Sequence, residues 1–247
     1  MAKQRHLSNA PIVEAIIDFR VRLAPSFDVM GFTSLRQTLH PEYPKMEERR
    51  EFAAGIQLAN KQVQHVFEDK GLAGYFFRSE DGKNVVQFRR DGFTFSRLKP
   101  YTEWETVCAE AKRAWELYRA RVSLELVTRI AVRYINRLII PLPISDFADY
   151  LTAPPTIPET LPLGVSQFMT RVVVCDVVTD IQANIIQALD KGAKSDEAAI
   201  ILDIDVYKQQ EGGLDESKIW PTFEQLRELK NRIFFDSISE RTARLFE

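Results

Sequence analysis

The sequence predicts an α+β protein, with antiparallel sheet packed on one face by helices and two halves of the same element order: strand, helix, strands, long helix. Three observations lead there. Residues 11–23 and 198–208 alternate apolar and polar, the period of a half-buried strand. Two Asp-Gly pairs, at 81–82 and 91–92, mark a meander of hairpins. Two amphipathic stretches, near 103–122 and after Pro221, carry helical stripes, and each closes one half.

In the first strand, Val13, Ala15, Ile17, Phe19, Val21 and Leu23 form the apolar face, and Glu14, Asp18, Arg20 and Arg22 the polar one. Pro25-Ser26 opens a short helix over 27–39, ended by His40-Pro41; Glu42 to Arg50 reads as loop, and 56–67 as one or two strands. Meander strands follow near 72–79, 84–90 and 93–98. Type I′ turns need positive φ at both central residues, so Asp81-Gly82 sets Phe77 against Val86 and Tyr75 against Phe88. Asp91-Gly92 sets Phe88 against Phe95 and Arg90 against Phe93 in the same way. One face then carries Tyr75, Phe77, Val86, Phe88, Phe93 and Phe95; the other carries Phe76, Arg78, Gln87, Arg89, Thr94 and Ser96.

Thr102-Glu103-Trp104-Glu105 fits a capping box, and Trp104, Val107, Cys108, Ala111, Trp115, Tyr118 and Val122 give the following helix an apolar stripe to lay on the aromatics. Residues 128–138 form a strand ended by Pro141. A short helix at 145–151 precedes a connector, 153–164, whose four prolines keep it out of a central ladder. Strands near 166–176, 181–189 and 198–208 come next. A terminal helix carries Phe223, Leu226, Leu229, Ile233 and Phe234 on its stripe. The halves fall at 1–122 and 123–247, within one continuous domain, and their opening strands are expected to be neighbours.

The net charge of -2 disfavours general steering onto phosphate backbones, so nucleic acid is an unfavoured partner. No run of 18 apolar residues or apolar leader is present, so no membrane partner is expected and the cytoplasm is the expected compartment. Cys108 and Cys175 both read as small buried hydrophobes. No Gly-rich phosphate loop, His/Cys cluster or nucleophile elbow occurs, so no catalytic residue, metal site or cofactor is assigned.

The densest chemistry lies on the central strand. Arg129, Arg133 and Arg137 recur every four residues, about 13 Å apart on one strand face, while Tyr134 and Asn136 fall on the other. These five are the candidate ligand-binding residues. Arginine forks onto carboxylates, and Glu14, Asp18, Asp203 and Asp205 are the acids available on neighbouring strand faces, as ion-pair partners or a weak metal pair. The face is therefore either a ladder of cross-strand ion pairs or a groove for an anionic ligand such as a nucleotide or phosphorylated metabolite.

The segments Leu7-Ser8-Asn9-Ala10-Pro11-Ile12-Val13-Glu14-Ala15, Phe93 to Tyr101 with Trp104-Glu105, Arg129 to Arg137, and Ile201 to Val206 together resemble a sporadically distributed family of uncharacterised bacterial proteins of about this length. The resemblance carries no activity. Its patchy distribution implies an accessory role, such as in a defence or toxin-linked locus. The expectation is a non-enzymatic binding or interaction module that pairs with a protein partner or with itself as a homodimer. The alternative is an enzyme or sensor that reads a phosphorylated ligand over the arginines.

Overall fold

The computed structural model describes residues 1–59, 62–158, 160 and 164–247, with the backbone but not the side chains of 53–59 and 62–67. Its strands are β1 (Ile12–Leu23), β2 (Lys45–Ala59), β3 (Gln62–Arg78), β4 (Asn84–Arg89), β5 (Gly92–Leu98), β6 (Leu124–Pro141), β7 (Met169–Asp176), β8 (Ile181–Lys191) and β9 (Glu197–Gln209). Its helices are α1 (Arg36–Leu39), α2 (Trp104–Arg121), α3 (Ile219–Ser237) and α4 (Glu240–Arg244). All nine strands form one sheet, in the order β2-β3-β4-β5-β1-β6-β9-β8-β7, and every pairing is antiparallel. The fold is α+β.

The alternation read in the sequence decides which face is covered. Ala15, Ile17, Phe19, Ile130, Val132, Leu138, Leu202, Ile204 and Val206 are buried under α2 and α3. The helices meet over β1, where the Phe19 ring stacks on Trp115 at 3.9 Å and lies 5.2 Å from Phe223. Trp104 Nε1 donates to Glu224 at 2.6 Å, tying α2 to α3. The meander aromatics Phe77, Phe88, Phe93 and Phe95 are buried beneath α2. Among the described residues, no helix is long and apolar enough to cross a membrane.

Several expectations change. Residues 45–50 are strand, not loop. Lys45-Met46-Glu47-Glu48-Arg49-Arg50 shows no alternation because β2 is a sheet edge, where charge on both faces discourages unwanted pairing. The one or two strands expected over 56–67 belong to β2 and β3, and residues 60 and 61 lie outside the described residues.

The second hairpin is shifted by two. Arg89 pairs with Gly92 and Phe88 with Phe93, so the turn is Arg90-Asp91. Gly92 lies inside β5 without positive φ, and a Cβ there would collide with the Phe19 carbonyl of β1. That glycine serves a close strand approach, not a turn. A shift of two keeps every side chain on its expected face.

The capping box does not form. Helix α2 starts one residue later, with Glu103 at the N-cap position and no side-chain cap. Helix 27–39 is a 3-10 segment, Val29–Leu35, followed by α1. The opening strands β1 and β6 do pair, along nearly their full length.

Candidate functional site

Cross-strand register assembles the face opposite the helices. Directly paired residues share a face, so each row across the sheet can be read from its pairings. Arg133 lies opposite Asp205, and Ile135 opposite Asp203. Each arginine reaches diagonally to an acid. Arg133 forks onto Asp203, with Nε donating at 2.8 Å and Nη2 at 2.5 Å. Arg129 Nη2 donates to both oxygens of Asp205, at 3.0 and 2.8 Å, while its Nη1 lies 3.4 Å from Asp18. Arg137 donates to Asp190 at 3.1 Å and to the Lys191 carbonyl. The Asp203 fork holds the Arg133 guanidinium above its ordinary pKa, whereas burial pushes the Asp205 carboxyl up against the pull of Arg129.

The other candidates divide. Asp18 joins the network as its centre: it accepts from Arg89 at 3.0 Å and Thr94 at 2.7 Å, and lies 3.5 Å from Arg20. Glu14 makes no ion pair among the described residues, although its charge reaches Arg133. Tyr134 and Asn136 are on the covered face, away from the arginines. The Tyr134 hydroxyl meets Tyr101 at 3.0 Å, and Asn136 Nδ2 donates to the Leu202 carbonyl at 3.0 Å. Asp203 and Asp205 each hold an arginine fork, which occupies the oxygens a metal would need.

Three further participants lie outside the candidate set read from the sequence. Arg20 pairs directly with Arg129, Arg89 is buried against Asp18, and Asp91 takes both Arg20 and Arg89. Arg20 lies two residues from Asp18 on the same face of β1, whereas Arg89 reaches Asp18, and Arg129 reaches both, only through the strand order β4-β5-β1-β6. Asp190 sits at the end of β8, just past the expected strand.

A second exceptional group lies under the helices. Lys230 of α3 is buried with its ammonium 3.7 Å from the Tyr134 ring centroid, and it donates to the Asn231 side chain at 2.5 Å. Desolvation pushes its pKa down to about 7, and Arg227 adds to the shift.

The sheet also ends on an unusual strand. Among the described residues the outer edge of β7 is unpaired, and Val172, Val173 and Val174 are about half exposed. Val177 and Val178, in the following turn, are 89% exposed. Cys175, expected to be buried, is exposed on this edge strand. Cys108, within α2, is half-buried, and burial pushes its thiol up to about 11.

No protein-family model matches this chain, and no curated protein matches it in sequence.

Proposed function

We propose that this protein is a non-enzymatic interaction module whose primary partner is a second copy of itself, joined edge to edge through β7. The observation that carries this reading is the unpaired β7 edge, apolar on both faces. An exposed apolar strand edge is a template for another strand, and proteins that stay monomeric normally blunt such edges with charge, proline or cover. The opposite edge, β2, is blunted in this way by Lys45, Glu47, Glu48, Arg49 and Arg50. The β7 edge has valines there instead.

The sequence of β7 favours a copy of itself as occupant. Antiparallel pairing about a twofold axis at Val173 sets Val173 on its counterpart and Val172 on Val174. The same register opposes Thr170 to Asp176 and Arg171 to Cys175, so no like charges meet. Sedimentation velocity tests this. The wild type is expected to be a dimer at micromolar concentration and Val173→Lys a monomer with unchanged far-UV circular dichroism. A monomeric wild type at high concentration ends the proposal.

The alternative, a phosphorylated ligand held by Arg129, Arg133 and Arg137, is disfavoured because each of those arginines already holds an acid of the same chain. We also propose that residues 1–122 and 123–247 are pseudo-repeats about an axis between β1 and β6. The strand order supports it: outward from β1 run β5, β4 and β3, and outward from β6 run β9, β8 and β7. Each half closes with a long helix on the same face. If the axis exists, superposing the halves lays α2 on α3 with these strands in step.

A further inference from the structure

We propose that Arg49, at the end of a row that continues through Arg89 and Arg20 to the internally paired Arg129, is the binding site for a small oxyanion of the phosphate class, with Arg89 and Arg20 behind it. This site lies on β2, β4, β1 and β6, away from β7, and its test is independent of self-association.

The row is read directly from the register. Arg49 pairs with Gly74, Gly74 with Arg89, Arg89 with Gly92, Gly92 with Arg20, and Arg20 with Arg129. Four arginines thus line up across five successive strands and the next, separated by two glycines. The Arg89 side chain lies over Gly92, where an added Cβ would come within 2.8 Å of its Nη2, so the guanidinium follows the row across the sheet. Like charges directly opposite, as in Arg20 and Arg129, are normally destabilising. Here the carboxylates Asp18, Asp91 and Asp205 offset them.

The balance is incomplete. Four guanidinium groups face three carboxylates, and Asp18 is shared by three of the arginines. Arg49 has no carboxylate within 4 Å among the described residues, and the undescribed side chains of its own hairpin include no acid. It is half-buried, and burial together with Arg89 and Arg20 pushes its pKa down, against the weaker pull of Asp91 and Glu51 from beyond ion-pair distance. An unpaired arginine held beside two others is unfavourable unless an anion completes the set. Arg89 Nε is also buried without an aligned hydrogen bond, its nearest acceptor being Asp91 Oδ1 at 3.1 Å.

Bulges border the row at both ends. Ala73 is the extra residue between the Arg50–Leu72 and Arg49–Gly74 pairs, and Thr128 between the Val21–Val127 and Arg20–Arg129 pairs. Bulges re-aim side chains and gather beside binding sites. Arginine suits the ligand proposed, because its planar fork matches phosphate geometry.

The test is thermal unfolding in phosphate and pyrophosphate against sodium chloride of equal ionic strength. For a chain of this size, an anion at ten times its Kd raises Tm by roughly 2–5 °C. Wild type and Arg133→Gln are expected to show this increment and Arg49→Gln to lose it. In chloride, Arg49→Gln is expected to melt no lower than wild type, because it removes a repulsion. Phosphorus NMR of pyrophosphate gives a second reading: line broadening by wild type, and none by Arg49→Gln or Arg20→Gln. No increment in wild type beyond chloride, or an increment that survives Arg49→Gln, overturns the proposal.

Discussion

Asp18 holds more of the charged face than any other single residue. Two of its arginine partners, Arg89 and Arg129, are largely buried with it, so removing its charge strands them among like charges. Breaking a buried pair by deleting one partner typically costs about 3–5 kcal/mol. Asp18→Asn is therefore expected to lose about that much in urea unfolding at pH 7, and a loss under 1 kcal/mol would show the network to be dispensable. The importance of Asp18 was partly legible: the alternation of β1 placed it on the polar face and named it as a partner. Its pairing with Arg89 was not, because Arg89 is far away in sequence and reaches Asp18 only through the strand order.

Lys230 makes an opposite contribution. Its folded pKa near 7 lies below the ordinary lysine value of 10.5, so between these values the unfolded chain binds more protons. Stability from this group therefore rises with pH from about 7 towards 10.5, by on the order of 5 kcal/mol in full. The facing groups are Tyr134 from β6, Tyr101 hydrogen-bonded behind it, and Arg227 on the same helix; among the described residues no carboxylate pairs with the ammonium. Lys230→Met is expected to be more stable than wild type at pH 7, with the advantage shrinking by pH 9.5. An advantage that does not change with pH would contradict the neutral amine. Nothing in the helical pattern marks this site, since position 230 lies just beside the stripe of Leu226, Leu229 and Ile233.

At the scale of elements, β2 and β7 show where patterns mislead. Charge on both faces made the start of β2 look like loop, although charge is what an edge strand uses. An apolar run made β7 look buried, and Cys175 with it, although β7 is the other edge. Periodicity reports burial, and edge position is a property of topology that a single strand does not encode. The exposure difference between the cysteines has a direct readout. Under native conditions a thiol reagent is expected to modify Cys175 at least tenfold faster than Cys108, which is half-buried with its thiol pushed up to about 11. Equal rates would place β7 under cover in the monomer. Within the proposed dimer Cys175 faces Arg171 across the axis, so its rate should also fall as protein concentration rises.

For the whole molecule, the fold class and the covered face were readable because β1, the meander and β9 keep strict alternation, and α2 and α3 keep helical stripes. The neighbouring of β1 and β6 followed from the matching openings of the halves. The hairpin at 90–91 was displaced because Gly92 answers to the Phe19 backbone of β1, a constraint from a strand seventy residues away. The charged face was foreseen as a choice between internal pairing and a ligand groove. Both outcomes are now assigned to different residues: Arg129, Arg133 and Arg137 hold acids of the chain, and the surplus of charge falls at Arg49.

The account places association at β7, and chemical cross-linking across the proposed axis tests it most directly. Paired strand residues lie about 4.5–5.5 Å apart at Cα, within disulfide reach. In a Cys175→Ser background, Val173→Cys is expected to give a disulfide-linked dimer rapidly under mild oxidation. Val178→Cys, in the more exposed turn, should stay monomeric over the same time. Equal cross-linking at both positions, or none at Val173→Cys, would contradict self-pairing through β7.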